Sequence, residues 1–169
     1  MKLLPKWWRT NFLHVELGLA LVCGLAFIVW AQIFGGGEVI DETLKGNRGA
    51  VYGALASIFG SLLGYAITAV SIVLGLSTTE RLAVVRESKY YPTLWKVFTA
   101  TIRTFGLATV VALLALISDR ESSPMKWVLY LTVFALILAT LRLSRCVWVL
   151  ENVIILVTGH TKARPGDVA

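Results

Sequence analysis

The sequence predicts an all-α membrane protein with four transmembrane helices, and three observations carry that reading. Hydrophobic residues make up 57% of the 169-residue chain and charged residues 15%, against about 45–50% and 25% in soluble domains. Four apolar stretches each reach the roughly 20 residues that a helix needs to cross a bilayer. The six tryptophans, Trp7, Trp8, Trp30, Trp95, Trp127 and Trp148, fall near the ends of those stretches, where amphipathic rings settle at headgroup level. A water-soluble fold of this size has no means of hiding so much apolar surface. A soluble enzyme, a nucleic-acid-binding domain and a disordered scaffold are therefore poor readings, and no direct nucleic-acid partner is expected.

The spans are predicted at about 12–34, 50–76, 97–117 and 127–146, the last with an extension to 158. Residues 1–11 form a short N-terminal segment with Lys2, Lys6 and Arg9. The first span is too long for a signal-peptide core and lacks well-placed small residues for cleavage, so it reads as a retained helix. Gly35-Gly36-Gly37 closes it, and 35–49 reads as a surface loop or lip. The second span ends near Ser77, but Glu80 to Glu87 keeps helical character, so this helix is expected to continue beyond the headgroups. Tyr90-Tyr91-Pro92 turns the chain, and Thr93 offers an N-cap for the third helix. The fourth segment runs from Trp127 to Val157, 31 residues or about 46 Å, well beyond a roughly 30 Å hydrocarbon core. It must tilt, break or protrude. Its apolar end needs a cover: the 77–96 segment, a second copy, or the inner leaflet. Residues 159–169 form a tail.

Charge sets the orientation. Eleven of the 16 Lys and Arg residues lie in the N-terminal segment, the second connection and the end of the fourth span with its tail; four lie in the other two connections. The positive-inside rule then puts both termini in the cytoplasm of an inner membrane, with short connections arranging the helices as an up-down bundle. The formal charge of +6 is accounted for as an orientation signal. Arg81, Arg86, Lys89, Lys162 and Arg164 give a basic inward surface that suits anionic lipids or an acidic protein partner.

Two constellations stand out. The second span carries small residues at Gly53, Ser57, Gly60, Gly64, Thr68, Ser71 and Gly75, spaced by three or four so that they share one face. Such a face serves helix packing within the chain, a subunit interface or, with its hydroxyls, a pore lining. The other is charge within the spans: Glu16, Arg103, Arg142 and Arg145, all near the cytoplasmic side. A charge at the bilayer centre costs about 2.5–3.5 kcal/mol on insertion scales, so a partner is expected. Glu16 with Arg103 is the expected pair, with His14, Arg142, Arg145 and Glu151 as neighbours, although Arg142 and Arg145 can instead snorkel to the interface. The cluster could clamp helices, line a vestibule selective for anions, or hold lipid headgroups. Arg103, Thr99 and Gly106 share a face, and Thr101, Thr104 and Thr109 make the third span rich in hydroxyls. That helix is the best candidate to face a pore.

Nothing points to catalysis or a cofactor. The chain has no H-E-x-x-H or G-x-S-x-G, and no metal-ligand spacing around His14 or His160. Cys23 and Cys146 sit in apolar context and suggest no disulfide framework.

The segment Gly60-Ser61-Leu62-Leu63-Gly64-Tyr65-Ala66-Ile67-Thr68-Ala69, the basic connection, Tyr91-Pro92-Thr93-Leu94-Trp95, and then Phe98, Arg103 and Gly106 resemble small bacterial four-span proteins, some of them in anti-phage defence operons. The likeness covers about a third of the chain and contains no motif of known chemistry. It implies a homo-oligomeric membrane effector that permeabilises or depolarises the cell, or one that anchors a cytoplasmic sensor. A channel-like or membrane-perturbing subunit is thus the leading expectation, with a non-conducting anchor or assembly subunit of a larger complex or transporter as the alternative.

Overall fold

A computed structural model describes residues 12–76, 91–119 and 124–162. They form five helices: α1 Phe12–Ile33, α2 Gly36–Leu44, α3 Arg48–Leu76, α4 Tyr91–Ser118 and α5 Lys126–Lys162. Four of them, α1, α3, α4 and α5, contain stretches long and apolar enough to cross a membrane: Phe12–Ile33, Arg48–Ile72, Leu94–Ser118 and Lys126–Glu151. The expected continuation of the second span over 80–87, the turn at Tyr90 and the basic tail after Lys162 lie outside the described residues.

Three boundaries differ from the sequence reading. The 35–49 connection is a nine-residue helix, α2, rather than a loop. Two glycines frame it: Gly35 (φ +73°) leads into it and Gly46 (φ +81°) follows it, backbone conformations that a Cβ disfavours. Glu38 in its first turn suits the positive end of the helix dipole. Helix α4 begins at Tyr91, ahead of Thr93; Pro92 then occupies the first turn, where its missing N–H leaves no bond unmade. The fourth segment neither breaks nor stops early. Helix α5 runs 37 residues in one piece, about 55 Å.

Contacts between elements follow an order that the chain order does not give. Helix α3 packs on α4, α4 on α5, and α5 on α1, with α2 against α1. The first helix thus lies beside the last and not beside its successor across the bilayer. Lipid gives apolar helices no hydrophobic reason to associate, so close backbone approach has to supply dispersion instead. Alanine provides it here. Ala56 and Ala66 of α3, Ala108 and Ala112 of α4, and Ala135 and Ala139 of α5 form one buried cluster with Phe59 and Phe105 filling the wider gaps. A smaller cluster of Tyr52, Ala115 and Val128 extends it toward one end. Helix α1 buries the small residues Ala20, Gly24 and Ala31, with Phe12 and Glu16 ahead of them. At Gly24 a Cβ would stand 3.4 Å from the Phe134 ring, so the glycine admits that ring against the α1 backbone.

The glycine-rich stripe of α3 is not part of this packing. Gly53, Gly60 and Gly64 have nothing within 4 Å of the position a Cβ would take, and Ser57, Thr68 and Ser71 are exposed. At 100° per residue their face points about 130° away from the Tyr52–Ala56–Phe59–Ala66 face buried against α4. Among the described residues, Gly53, Gly60 and Gly64 meet no packing partner of the kind the blandest use of the stripe requires.

Candidate functional site: two buried ion clusters

The first cluster gathers Glu16, Arg142 and Arg145 where the start of α1 meets α5. Glu16 is buried on α1, and Arg142 and Arg145 stand one turn apart, so both reach the same carboxylate. Glu16 Oε2 lies 2.7 Å from Arg142 Nη1, a charge contact without hydrogen-bond alignment. Arg145 Nε donates to Glu16 Oε1. Arg142 Nη2 also reaches the Leu13 carbonyl at 3.4 Å, and the Arg145 guanidinium sits 4.7 Å over the Phe12 ring, at a cation–π distance. One acid thus serves two cations, leaving a net charge of +1. Arg142 Nε is buried with no hydrogen-bond partner.

This corrects two expectations together. Glu16 does not pair with Arg103, because α1 packs on α5 and α4 lies elsewhere in the contact order. Arg142 and Arg145 do not snorkel; they turn inward onto Glu16. Arg103 is exposed and has no ion pair among the described residues. His14 and Glu151, expected as neighbours, are both exposed. Of the four residues assigned to the intramembrane charge cluster, three meet and Arg103 stands apart.

The second cluster lies at the end where α3 begins and α4 stops, and none of its members is singled out by the sequence. Asp119, its side chain fully buried, is the hub. Arg48 Nη1 donates to Asp119 Oδ2 at 2.9 Å, and the Tyr52 hydroxyl donates to the same oxygen at 2.5 Å. The Met125 backbone N–H donates to Oδ1 at 2.8 Å. Arg48 Nη2 donates to Asp41 on α2. One carboxylate therefore ties α3, the end of α4 and the entry to α5, and Arg48 adds α2. A signal was present: Arg48 opens the second span and Asp119 closes the third, so consecutive spans bring them to the same side. Asp41, Lys45, Gly46, Arg48 and Pro124 line a small open cavity of about 200 Å³ beside this cluster.

Three of the hydroxyls of α4 are satisfied within their own helix. Thr101, Thr104 and Thr109 each donate to the carbonyl four residues back, at 2.9, 2.9 and 2.8 Å, and Thr101 is fully buried among the packed helices. Back-bonding of this kind satisfies the hydroxyl inside its own helix. Among the described residues no group of three or more His, Cys, Asp or Glu side chains is arranged to hold a metal ion. No family model matches this chain, and no curated protein or solved structure is significantly similar to it.

Proposed function

We propose that this protein is a subunit of a homo-oligomeric, channel-like or membrane-perturbing assembly in a cell inner membrane. In this reading its spans run up and down, both termini are cytoplasmic, and the second and fourth helices extend into the cytoplasm. The observation that carries the reading is the outward face of α3. Gly53, Gly60 and Gly64 have nothing among the described residues within 4 Å of where a Cβ would stand, and Thr68 and Ser71 have their hydroxyls satisfied by Gly64 and Ile67 carbonyls at 2.9 Å. A flat, small-residue face with satisfied hydroxyls suits the backbone of a neighbouring helix. Phe59, Phe98 and Phe105 fill the interior of the single chain, so any conducting path belongs between subunits. The bacterial defence role rests on the resemblance of the 60–106 region. The basic segments with Arg81, Arg86, Lys89, Lys162 and Arg164 supply the side on which a cytoplasmic protein partner docks.

Mass and flux test this together. The purified chain is expected at a multiple of its 18.5 kDa mass and to dissipate an ion gradient across liposomes. The pair Gly60→Leu and Gly64→Leu is expected to reduce both to the single-chain level. A monomeric wild type, or an unchanged mass in the double variant, removes the α3 face from the assembly. The second reading, a non-conducting anchor or assembly subunit, is favoured by that same aromatic interior, and a tight oligomer without flux would establish it.

A further inference from the structure

The outward face of α4 combines three polar groups that nothing among the described residues engages. Lys96, Thr99 and Arg103 are all exposed, and at spacings of three and four they stand on one side of the helix, opposite the buried Phe98–Thr101–Phe105–Ala108 side. Arg103 has no ion pair among the described residues, because Glu16 is held by Arg142 and Arg145 and Asp41 and Asp119 are held by Arg48. The Thr99 hydroxyl makes no hydrogen bond to the described residues, whereas its neighbours Thr101, Thr104 and Thr109 are bonded back to their own helix. Further along the same side come Leu107, Val110 and Leu114, at 68, 52 and 57% exposure. The face is thus basic and hydroxylic for about 10 Å and apolar for the next two or three turns.

Depth adds a constraint. With the Leu94–Ser118 stretch centred in a roughly 30 Å hydrocarbon layer, Arg103 lies about 10 Å inside its edge. An unpaired guanidinium there is unfavourable and must reach an anion or water. Side chains of an α-helix lean toward its N-terminus, so the Arg103 stem leads toward Thr99 and Lys96 and toward the nearer membrane surface. The available anion at that surface is a phosphate, and a planar guanidinium with a hydroxyl and an ammonium offers donors to several of its oxygens.

We propose that Lys96, Thr99 and Arg103 form a binding site for the phosphate headgroup of an anionic phospholipid, whose acyl chains lie along Leu107, Val110 and Leu114. The inference rests on α4 spanning the bilayer, one part of the proposed function, and requires neither conduction nor the α3 interface.

Native mass spectrometry of the detergent-purified full chain, titrated with phosphatidylglycerol or phosphatidylcholine, tests it. The expected result is one preferred phosphatidylglycerol site, weakened about fivefold by Arg103→Gln and similarly by Lys96→Gln, the factor that roughly 1 kcal/mol per basic residue implies. Arg103→Lys, which keeps the charge, is expected to retain most of the binding. Equal affinity for the two lipids, or a preference that both Gln variants leave intact, overturns the site. Equal competition by inorganic phosphate would make it a soluble-anion site. Loss of oligomer mass in Arg103→Gln without loss of lipid would assign Arg103 to a carboxylate of a second copy, and a change of liposome ion selectivity instead would place it on a conduction path. Recovery of the chain in the soluble fraction would defeat the membrane reading itself, separately from the site.

Discussion

The Asp119 and Glu16 clusters use the same chemistry in opposite proportions. Around Asp119 one cation bridges two acids, and the hub carboxylate accepts from three donors on different elements. Around Glu16 two cations converge on one acid, and both come from the same helix. The difference lies in what each holds. Asp119 joins α2, α3, α4 and the start of α5, so it organises one whole end of the molecule. Glu16 joins a single helix pair, and among the described residues α1 has no extensive contact elsewhere except with the short α2. A polar network in an apolar surrounding is worth most when every member is satisfied; by that measure Asp119 is a structural hub and Glu16 a latch on one helix.

The largest expected effect follows from removing the hub. Asp119→Ala leaves Arg48 with Asp41 alone, strands the Tyr52 hydroxyl in a buried place and takes the acceptor from the Met125 N–H. Breaking one partner out of such a pair costs about 3–5 kcal/mol, and the thermal unfolding midpoint in detergent should fall accordingly. A midpoint within experimental error of wild type would show that this end is held by alanine packing and that the ion network is incidental.

Glu16→Ala should cost less, about 3 kcal/mol, at the lower end of the buried-pair range, because Arg142 keeps the Leu13 carbonyl and Arg145 is already 18% exposed. More telling is where the loss appears. A Cβ built at Gly24 lies 3.9 Å from the Phe134 Cβ, close to the 3.8 Å mean of disulfides. In a chain with Cys23 and Cys146 replaced by Ser, Gly24→Cys with Phe134→Cys should cross-link readily. Adding Glu16→Ala should slow that cross-link severalfold, while adding Asp119→Ala should leave it nearly unchanged. Equal slowing by both would mean that the four long helices respond as one unit and that the distinction between hub and latch is false.

These clusters also mark where sequence stopped being informative. Four long apolar helices were legible because length and composition alone decide whether a segment can cross a bilayer. Glu16 was legible as a buried acid in need of a cation. Its partner was not, since pairing depends on which helices are neighbours, and α1 beside α5 is a property of the packed chain. The same gap misled the reading of small residues: the glycine stripe of α3 is the more conspicuous pattern, yet the spaced alanines of α3, α4 and α5 make the contacts. An alanine among leucines and valines carries little pattern contrast, whereas a glycine stands out. Asp119 was hidden for a different reason: it stands at the very end of a span, where an acid has the look of a solvent charge, and its donors come from α3 and the entry to α5.

A smaller effect isolates one bond of the hub. Tyr52→Phe keeps the ring in its buried place and removes only the hydroxyl that donates to Asp119. Hydrogen bonds to charged groups contribute about 1.5–3 kcal/mol; the lower figure applies here because Arg48 shares the same oxygen and can adjust. A double-mutant cycle with Arg48→Gln should show coupling between the two, as expected of donors sharing one acceptor. Strict additivity would mean that Tyr52 acts by packing against Ala115 and Val128 alone.

The smallest effects come from the charge that each cluster carries in excess. Asp41 is the surplus acid of the hub, its side chain 39% exposed, and Arg145 is the surplus cation of the latch at 18%. Removing either leaves the buried pair complete: Arg48 with Asp119 in one case, Arg142 with Glu16 in the other. Asp41→Asn is therefore expected to cost under about 1 kcal/mol, as partly exposed pairs do. Arg145→Gln should cost about 1 kcal/mol, slightly more because it also loses the cation–π contact with Phe12. Both predictions are read as shifts of the unfolding midpoint against Asp119→Ala measured beside them. If Arg145→Gln proved as damaging as Glu16→Ala, Glu16 would depend on two cations at once; the latch would then be a three-centre network like the hub, differing from it only in the sign of its excess charge.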